Sequence, residues 1–247
     1  MISGFVKSIL NALKSLEYLF KPWVLKYLLI SGLVSTIVYS IFIYSIFKFG
    51  DDLGQLLISK FVTENTWSWI VTTIEWATRI ILTVGFVFIF KYIVLIITSP
   101  FMSALSEDLE MRMTGAPKTS QSIGFQIQSM VRGIRLSVGN LFKELGLVAI
   151  LLLVGLIPVV GLVSSVLIFA VQAYYAGFGN LDFFMERRFN IKQSKRFAQL
   201  NKGIAVGNGS VFLLLFLIPV AGAFFAPTIC TISGTLSALE SPELERV

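Results

Sequence analysis

A six-residue phrase occurs twice in this chain with one change: Leu156-Ile157-Pro158-Val159-Val160-Gly161 and Leu217-Ile218-Pro219-Val220-Ala221-Gly222. Each copy lies in the middle of a long apolar stretch. Proline removes a helix donor and clashes with the preceding turn, and glycine opens backbone conformations closed to other residues. Each stretch therefore reads as two helices folded back at the phrase. The alternative is a kink in one straight spanning helix. Paired broken helices in a membrane protein point to a solute pathway, so Pro158, Gly161, Pro219 and Gly222 are candidate functional positions.

Embedding in a membrane follows from composition. Of 247 residues, 55% are hydrophobic and 14% charged, against about 25% charged in ordinary soluble domains. Too little polar surface is left to coat a soluble globule. A net charge of +6 fits basic groups gathered on one side of a bilayer, and nucleic acid is excluded as a partner at this hydrophobicity. The chain has no histidine and one cysteine, Cys230. His-based triads, His metal sites and intrachain disulfides are thereby excluded, and no metal or cofactor is implied. The start of the chain lacks a cleavable signal pattern, since Lys7 and Lys14 interrupt it.

Residues 2–20 read as an amphipathic helix. Ile2, Phe5, Val6, Ile9, Leu10, Leu13, Leu16 and Phe20 share one face, with Ser3, Lys7, Asn11 and Lys14 opposite. Such a helix lies in the membrane interface, packs on the rest of the protein, or does both. Tyr27 to Phe47 gives 21 uncharged residues, enough to span a core of about 30 Å. A first transmembrane helix is placed at 24–49 and a second at 68–99. Trp67, Trp69 and Trp76 mark the outer end of the second, where Glu75 and Arg79 are spaced to pair. Lys91 lies about 12 Å of helix from its inner end, which suits snorkelling to the interface ahead of a role in transport. Ser99-Pro100 is expected to begin a new helix, stopped at Gly115-Ala116-Pro117, and a further helix begins near Ser120. Cytoplasmic helices then occupy 100–143, a first hairpin 144–179, a basic loop 180–202, a second hairpin 203–238 and a tail 239–247.

Charge decides between a kink and a hairpin. Residues 101–143 carry five basic and three acidic groups, and residues 180–202 six basic against two acidic. The positive-inside rule puts both segments, and the N-terminus, on the cytoplasmic side. A single span through Pro158 would separate the two segments, whereas a hairpin keeps them together. Glu144 to Ile157, 14 residues, measures only about 21 Å. The expected fold is all-α: an amphipathic helix, two long transmembrane helices and two hairpins that penetrate partly.

Pro100-Phe101 followed by Leu105, Glu107, Leu109, Glu110, Arg112 and Thr114-Gly115 resembles the CysZ-type sulfate permeases, a family that includes etoposide-induced-protein-like membrane proteins. The order of elements resembles that family along nearly the whole chain. The resemblance implies a multi-pass bacterial inner-membrane protein that supplies sulfate for cysteine synthesis and works as a homo-oligomer. It also implies an anion site just after the proline that opens the first span, where family members carry Gly-aliphatic-Arg-Arg. Here Trp23, Val24, Leu25 and Lys26 stand at those positions, so only Lys26 retains a charged donor.

Two functional expectations follow. The first is an anion permease or channel for sulfate or a related small anion. Its candidate anion-binding residues are Trp23, Val24, Leu25, Lys26, Arg132, Arg135 and Lys143, with amides at the helix starts after Gly161 and Gly222 as further donors. The second is a scaffold that keeps the fold and associates with membrane lipids through Lys7 and Lys14. Catalysis is not expected: Asp51 with Asp52, and Glu107, Asp108 and Glu110, read as solvated carboxylates with no nucleophile and base beside them.

Overall fold

The computed structural model describes residues 1–61, 68–117, 123–157, 160–218 and 220–246. Pro158, Pro219, Trp67 and the expected pairing of Glu75 with Arg79 lie outside what it describes. The described chain is helical throughout: α1 Ile2–Leu19, α2 Pro22–Phe61, α3 Ser68–Thr114, α4 Ile123–Gly155, α5 Val160–Met185, α6 Ile191–Leu200, α7 Lys202–Phe216 and α8 Ala221–Leu239, closed by a 3-10 turn at Pro242–Arg246. Among the described residues, five segments are long and apolar enough to cross a membrane: Pro22–Ser45, Ile89–Thr114, Ile127–Gly155, Val160–Met185 and Ala221–Leu239.

Several boundaries differ from the sequence expectation, among them the basic loop at 180–202, which holds the end of α5 and all of α6. The helix placed at 24–49 continues to Phe61, since nothing in that stretch removes a donor or forces a turn. α3 passes through Pro100 without a break. Proline has no N–H to bond the Ile96 carbonyl, and the Ser99 hydroxyl donates to that carbonyl instead at 2.8 Å. The residue expected to help start a new helix thus keeps the old one intact. Likewise α4 runs unbroken through Lys143 and Glu144. The cytoplasmic helix expected to end at 143 and the first arm expected to begin at 144 are one element.

α1 faces the opposite way from a soluble amphipathic helix. Ile2, Phe5, Val6, Leu10, Leu13, Leu16 and Phe20 are exposed, while Ser8, Asn11, Ala12 and Ser15 are buried. Ser233 donates from its hydroxyl to the Ser8 carbonyl at 3.0 Å. Asn11 Nδ2 donates to Ser237 Oγ at 3.1 Å and to Glu240 at 3.2 Å. The small polar face packs on α7 and α8, and the apolar face is left for another medium. The same device joins α5 to α7: a Cβ on Gly177 would stand 1.8 Å from Ala205 O, and one on Gly209 1.7 Å from Ala173 O. Only glycine permits backbones to approach so closely, as in membrane helix pairs.

Several charged side chains gather at one end of the bundle, where α2 begins and α3, α5 and α8 end. Tyr27 donates to Asp108 at 2.7 Å, Lys7 pairs with Glu240 at 3.3 Å, and Arg187 and Arg188 both hold Glu110. Glu107, Asp108 and Glu110, expected to be solvated, are buried there. Ion pairs and the aromatic Tyr27 desolvate the latter two without leaving them unpartnered.

Candidate functional site

At this polar end α4, the end of α5 and α6 enclose a cavity of about 900 Å³. Helical spacing puts Arg132 and Arg135 one turn apart on α4. After α5 the chain turns, and Asn190 caps α6 by accepting from the amides of Lys192 and Gln193, while Gln193 accepts from the Asn190 amide. This reciprocal cap fixes the start of α6 and so brings Lys192 and Lys195 to the cavity wall.

The two arginines differ in what they can still bind. Arg132 donates to both oxygens of Asp182, at 2.9 and 2.7 Å, and to the Phe189 carbonyl and Ser194 Oγ at 2.7 Å each. Four of its five N–H groups are used, so its planar fork clamps α4, α5 and α6 together. Arg135 is exposed and, among the described residues, makes no ion pair; Lys192 and Lys195 make none either. Burial first, then the charges of Lys143 and Arg135, hold the Lys195 ammonium below the usual lysine value, against the pull of Asp182. Three sequence candidates, Arg132, Arg135 and Lys143, are thus brought together, with Lys192 and Lys195 added from α6. The capping box at Asn190 and Gln193 was the available sign that α6 would be held here.

Glu186 completes the site. Burial and the neighbouring Asp182 charge push its carboxyl up to about 7, while Ser103, Arg132 and Arg187 pull the other way. Its buried Oε1 has no hydrogen-bond partner among the described residues. An excess of cations with one protonatable carboxyl at the wall is chemistry for holding a small multivalent anion.

A family profile described as "Sulfate transporter CysZ/Etoposide-induced protein 2.4" matches residues 11–227. The chain belongs to this family. It is a multi-pass membrane protein of transporter type. A comparison with curated proteins returns no match.

The other site candidates do not join the cavity. Val24 is wholly buried in the core and Leu25 is partly exposed. Trp23 packs edge-on to Tyr18 and carries the Arg112 guanidinium 4.6 Å from its ring centroid. Lys26 is exposed, 3.6 Å from Asp108. This segment therefore reaches the α3 end through side chains already engaged, away from Arg135 and Lys195.

At the two Pro-Gly phrases the glycine amides are already used. Gly161 N–H donates to Ile157 O at 3.1 Å and Gly222 N–H to Ile218 O at 2.8 Å. A Cβ on Gly222 would stand 1.8 Å from Leu215 O, and Val220 holds φ +60°, a conformation costly for a β-branched residue. Close approach to the end of the preceding helix explains these glycines. The neighbouring Leu156, Leu162, Leu217 and Ile218 are exposed, which suits contact with lipid and gives an anion nothing to bind.

Lys91 overturns its sequence reading. It does not snorkel; it is 2% exposed and forms an ion pair with Glu144 on α4, itself fully buried. Snorkelling needs a path along the surface to water, and α4 covers the side chain. Glu144, in the sequence reading only the start of a hairpin arm, is its partner. A carboxylate and an ammonium in two separate apolar stretches were the signal for the pair.

Proposed function

We propose that this chain is an inner-membrane anion permease, with sulfate its leading solute, and that the cavity between α4 and α6 is its mouth. The observation that carries the reading is the convergence of Arg135, Lys192 and Lys195 on one cavity without carboxylate partners among the described residues. A doubly charged oxyanion cannot enter hydrocarbon unaided, and three cations with free donors offset its desolvation.

The excess of basic groups in 101–143 and 180–202 supports a cytoplasmic placement of this end in a bacterial plasma membrane. With that orientation α4–α5 and α7–α8 act as hairpins entering from the inside, their exposed apolar tips in lipid. Assembly as a homo-oligomer would cover backbone carbonyls near the tips.

The test is labelled-sulfate uptake into liposomes holding purified protein. Uptake above that of empty liposomes, lost in Arg135→Gln/Lys195→Gln and kept in Lys26→Ala, supports the reading. No uptake by folded, oriented protein overturns it.

A second reading rests on a different observation, the exposed apolar face of α1 beside the exposed Lys14. It makes the chain a lipid-associated scaffold. Loss of vesicle association in Lys14→Glu, with no sulfate uptake in wild type, would favour it.

A further inference from the structure

Lys91 and Glu144 lie inside two of the apolar segments, Ile89–Thr114 and Ile127–Gly155. Glu144 is 11 residues from the end of its segment, about 16 Å of helix, and 17 residues from its beginning, about 25 Å. The pair is buried between helices, about 13 Å of helix beyond Arg135. Taking two charges there costs several kcal/mol per ion, and apolar residues of similar volume would join the helices as well or better. An ionisable pair inside a membrane bundle marks an ion path.

The groups around Glu144 form a donor set for an oxyanion. Lys91 Nζ holds one carboxylate oxygen, and the Tyr92 hydroxyl donates to the other at 2.5 Å. One turn earlier on α4, Asn140 is 2% exposed, and its Nδ2 has no hydrogen-bond partner among the described residues. A positive charge and a hydroxyl are thus gathered on negatively charged oxygen, with a spare amide one turn away on α4. At present the Glu144 side chain supplies that oxygen.

A polar seam leads from the cavity toward this point. On α4 the buried polar residues Ser129, Ser137 and Asn140 follow one another from the cavity wall inward. α3 carries the buried Ser103, Ser99 and Thr98, of which Ser99 lies against Gly133 of α4. Elsewhere α4 presents apolar side chains outward, among them Val131, Ile134, Val138 and Phe142.

We propose that Lys91, with Tyr92 and Asn140, is a second, deep anion site where a permeating oxyanion replaces the Glu144 carboxylate. Glu144 is the resident counter-ion that keeps the site neutral between passages. The inference rests on the permease reading and deepens it: the cavity loads the anion and Lys91 carries it through the bundle.

The test combines flux with anion-dependent melting. The neutral pair Lys91→Met/Glu144→Gln removes the cation together with its counter-ion, so a merely structural ion pair would be replaced at little cost. The expected result is a folded protein whose sulfate uptake falls about tenfold or more, with sulfate binding at the cavity unchanged. Glu144→Gln alone leaves Lys91 without its carboxylate. Its lowered melting temperature should rise on adding sulfate more than wild type does, and should not rise with gluconate at equal ionic strength. Wild-type uptake retained by the neutral pair overturns this inference and leaves the permease reading standing. If the neutral pair does not fold, absence of sulfate rescue in Glu144→Gln overturns it. No uptake by the wild type overturns both.

Discussion

Among the described residues two ion pairs join α4 to its neighbours, and they are built to opposite plans. At the polar end Arg132 is saturated: Asp182, Phe189 O and Ser194 take four of its N–H groups. In the interior Lys91 and Glu144 are more deeply buried, yet a donor one turn away, Asn140 Nδ2, has no partner among the described residues. A saturated arginine fixes geometry and has little capacity left for a ligand. A buried pair beside an unused donor retains capacity. The comparison assigns positioning to Arg132 and leaves anion contact to Arg135, Lys192 and Lys195 at the mouth and to Lys91 within.

Breaking the saturated pair has the largest expected effect. Arg132→Ala leaves Asp182 buried without its fork, a loss of about 3–5 kcal/mol, read as a lower denaturation midpoint in detergent. Retention of full stability would show that the clamp is dispensable and that Arg132 is free for a ligand. Next comes Gly209→Ala, whose Cβ would meet Ala173 O at 1.7 Å. Forcing α5 from α7 should cost about 1–3 kcal/mol, and the same melt measures it.

The unsaturated end should respond in binding and not in stability. Arg135→Gln/Lys195→Gln is expected to weaken sulfate binding about tenfold, or 1.4 kcal/mol, with stability within about 0.5 kcal/mol of wild type. Equilibrium binding of labelled sulfate and a parallel melt separate the two. Lys26→Ala removes an exposed cation from Asp108 and should cost under about 1 kcal/mol, with sulfate binding unaltered. Weaker binding in Lys26→Ala would move the mouth to the start of α2.

The smallest effect is that of pH on the mouth. Glu186 is held up to about 7, so as pH falls through that value it becomes neutral and the cavity gains net positive charge. Sulfate affinity should rise between pH 8 and pH 6 by less than about tenfold, and Glu186→Gln should flatten the profile. The raised carboxyl also favours the folded state at low pH. That contribution is full below about 4.5 and is lost as pH rises through about 7.

Local chemistry made much of the fold legible in the chain itself. Apolar runs gave helices of membrane length, and the Pro-Gly phrases fall at the breaks between α4 and α5 and between α7 and α8. Arg132, Arg135 and Lys143 could be read as one basic helix because three- and four-residue spacing is a property of a single element. What depended on contact between elements was not legible. Pro100 stays within α3 because Ser99 supplies the missing donor, and that outcome depends on packing that holds the helix straight. The amphipathic face of α1 follows from periodicity, but its direction depends on whether the surrounding medium is water or lipid. In this bundle small polar residues pack inward and the apolar face turns out. Lys91 and Glu144 are 53 residues apart, and no spacing rule links charges on different helices. Their meeting, like the gathering of α6 lysines over α4 arginines, is set by how the helices cross, which is decided by close-packed glycines and buried polar contacts spread over the whole chain.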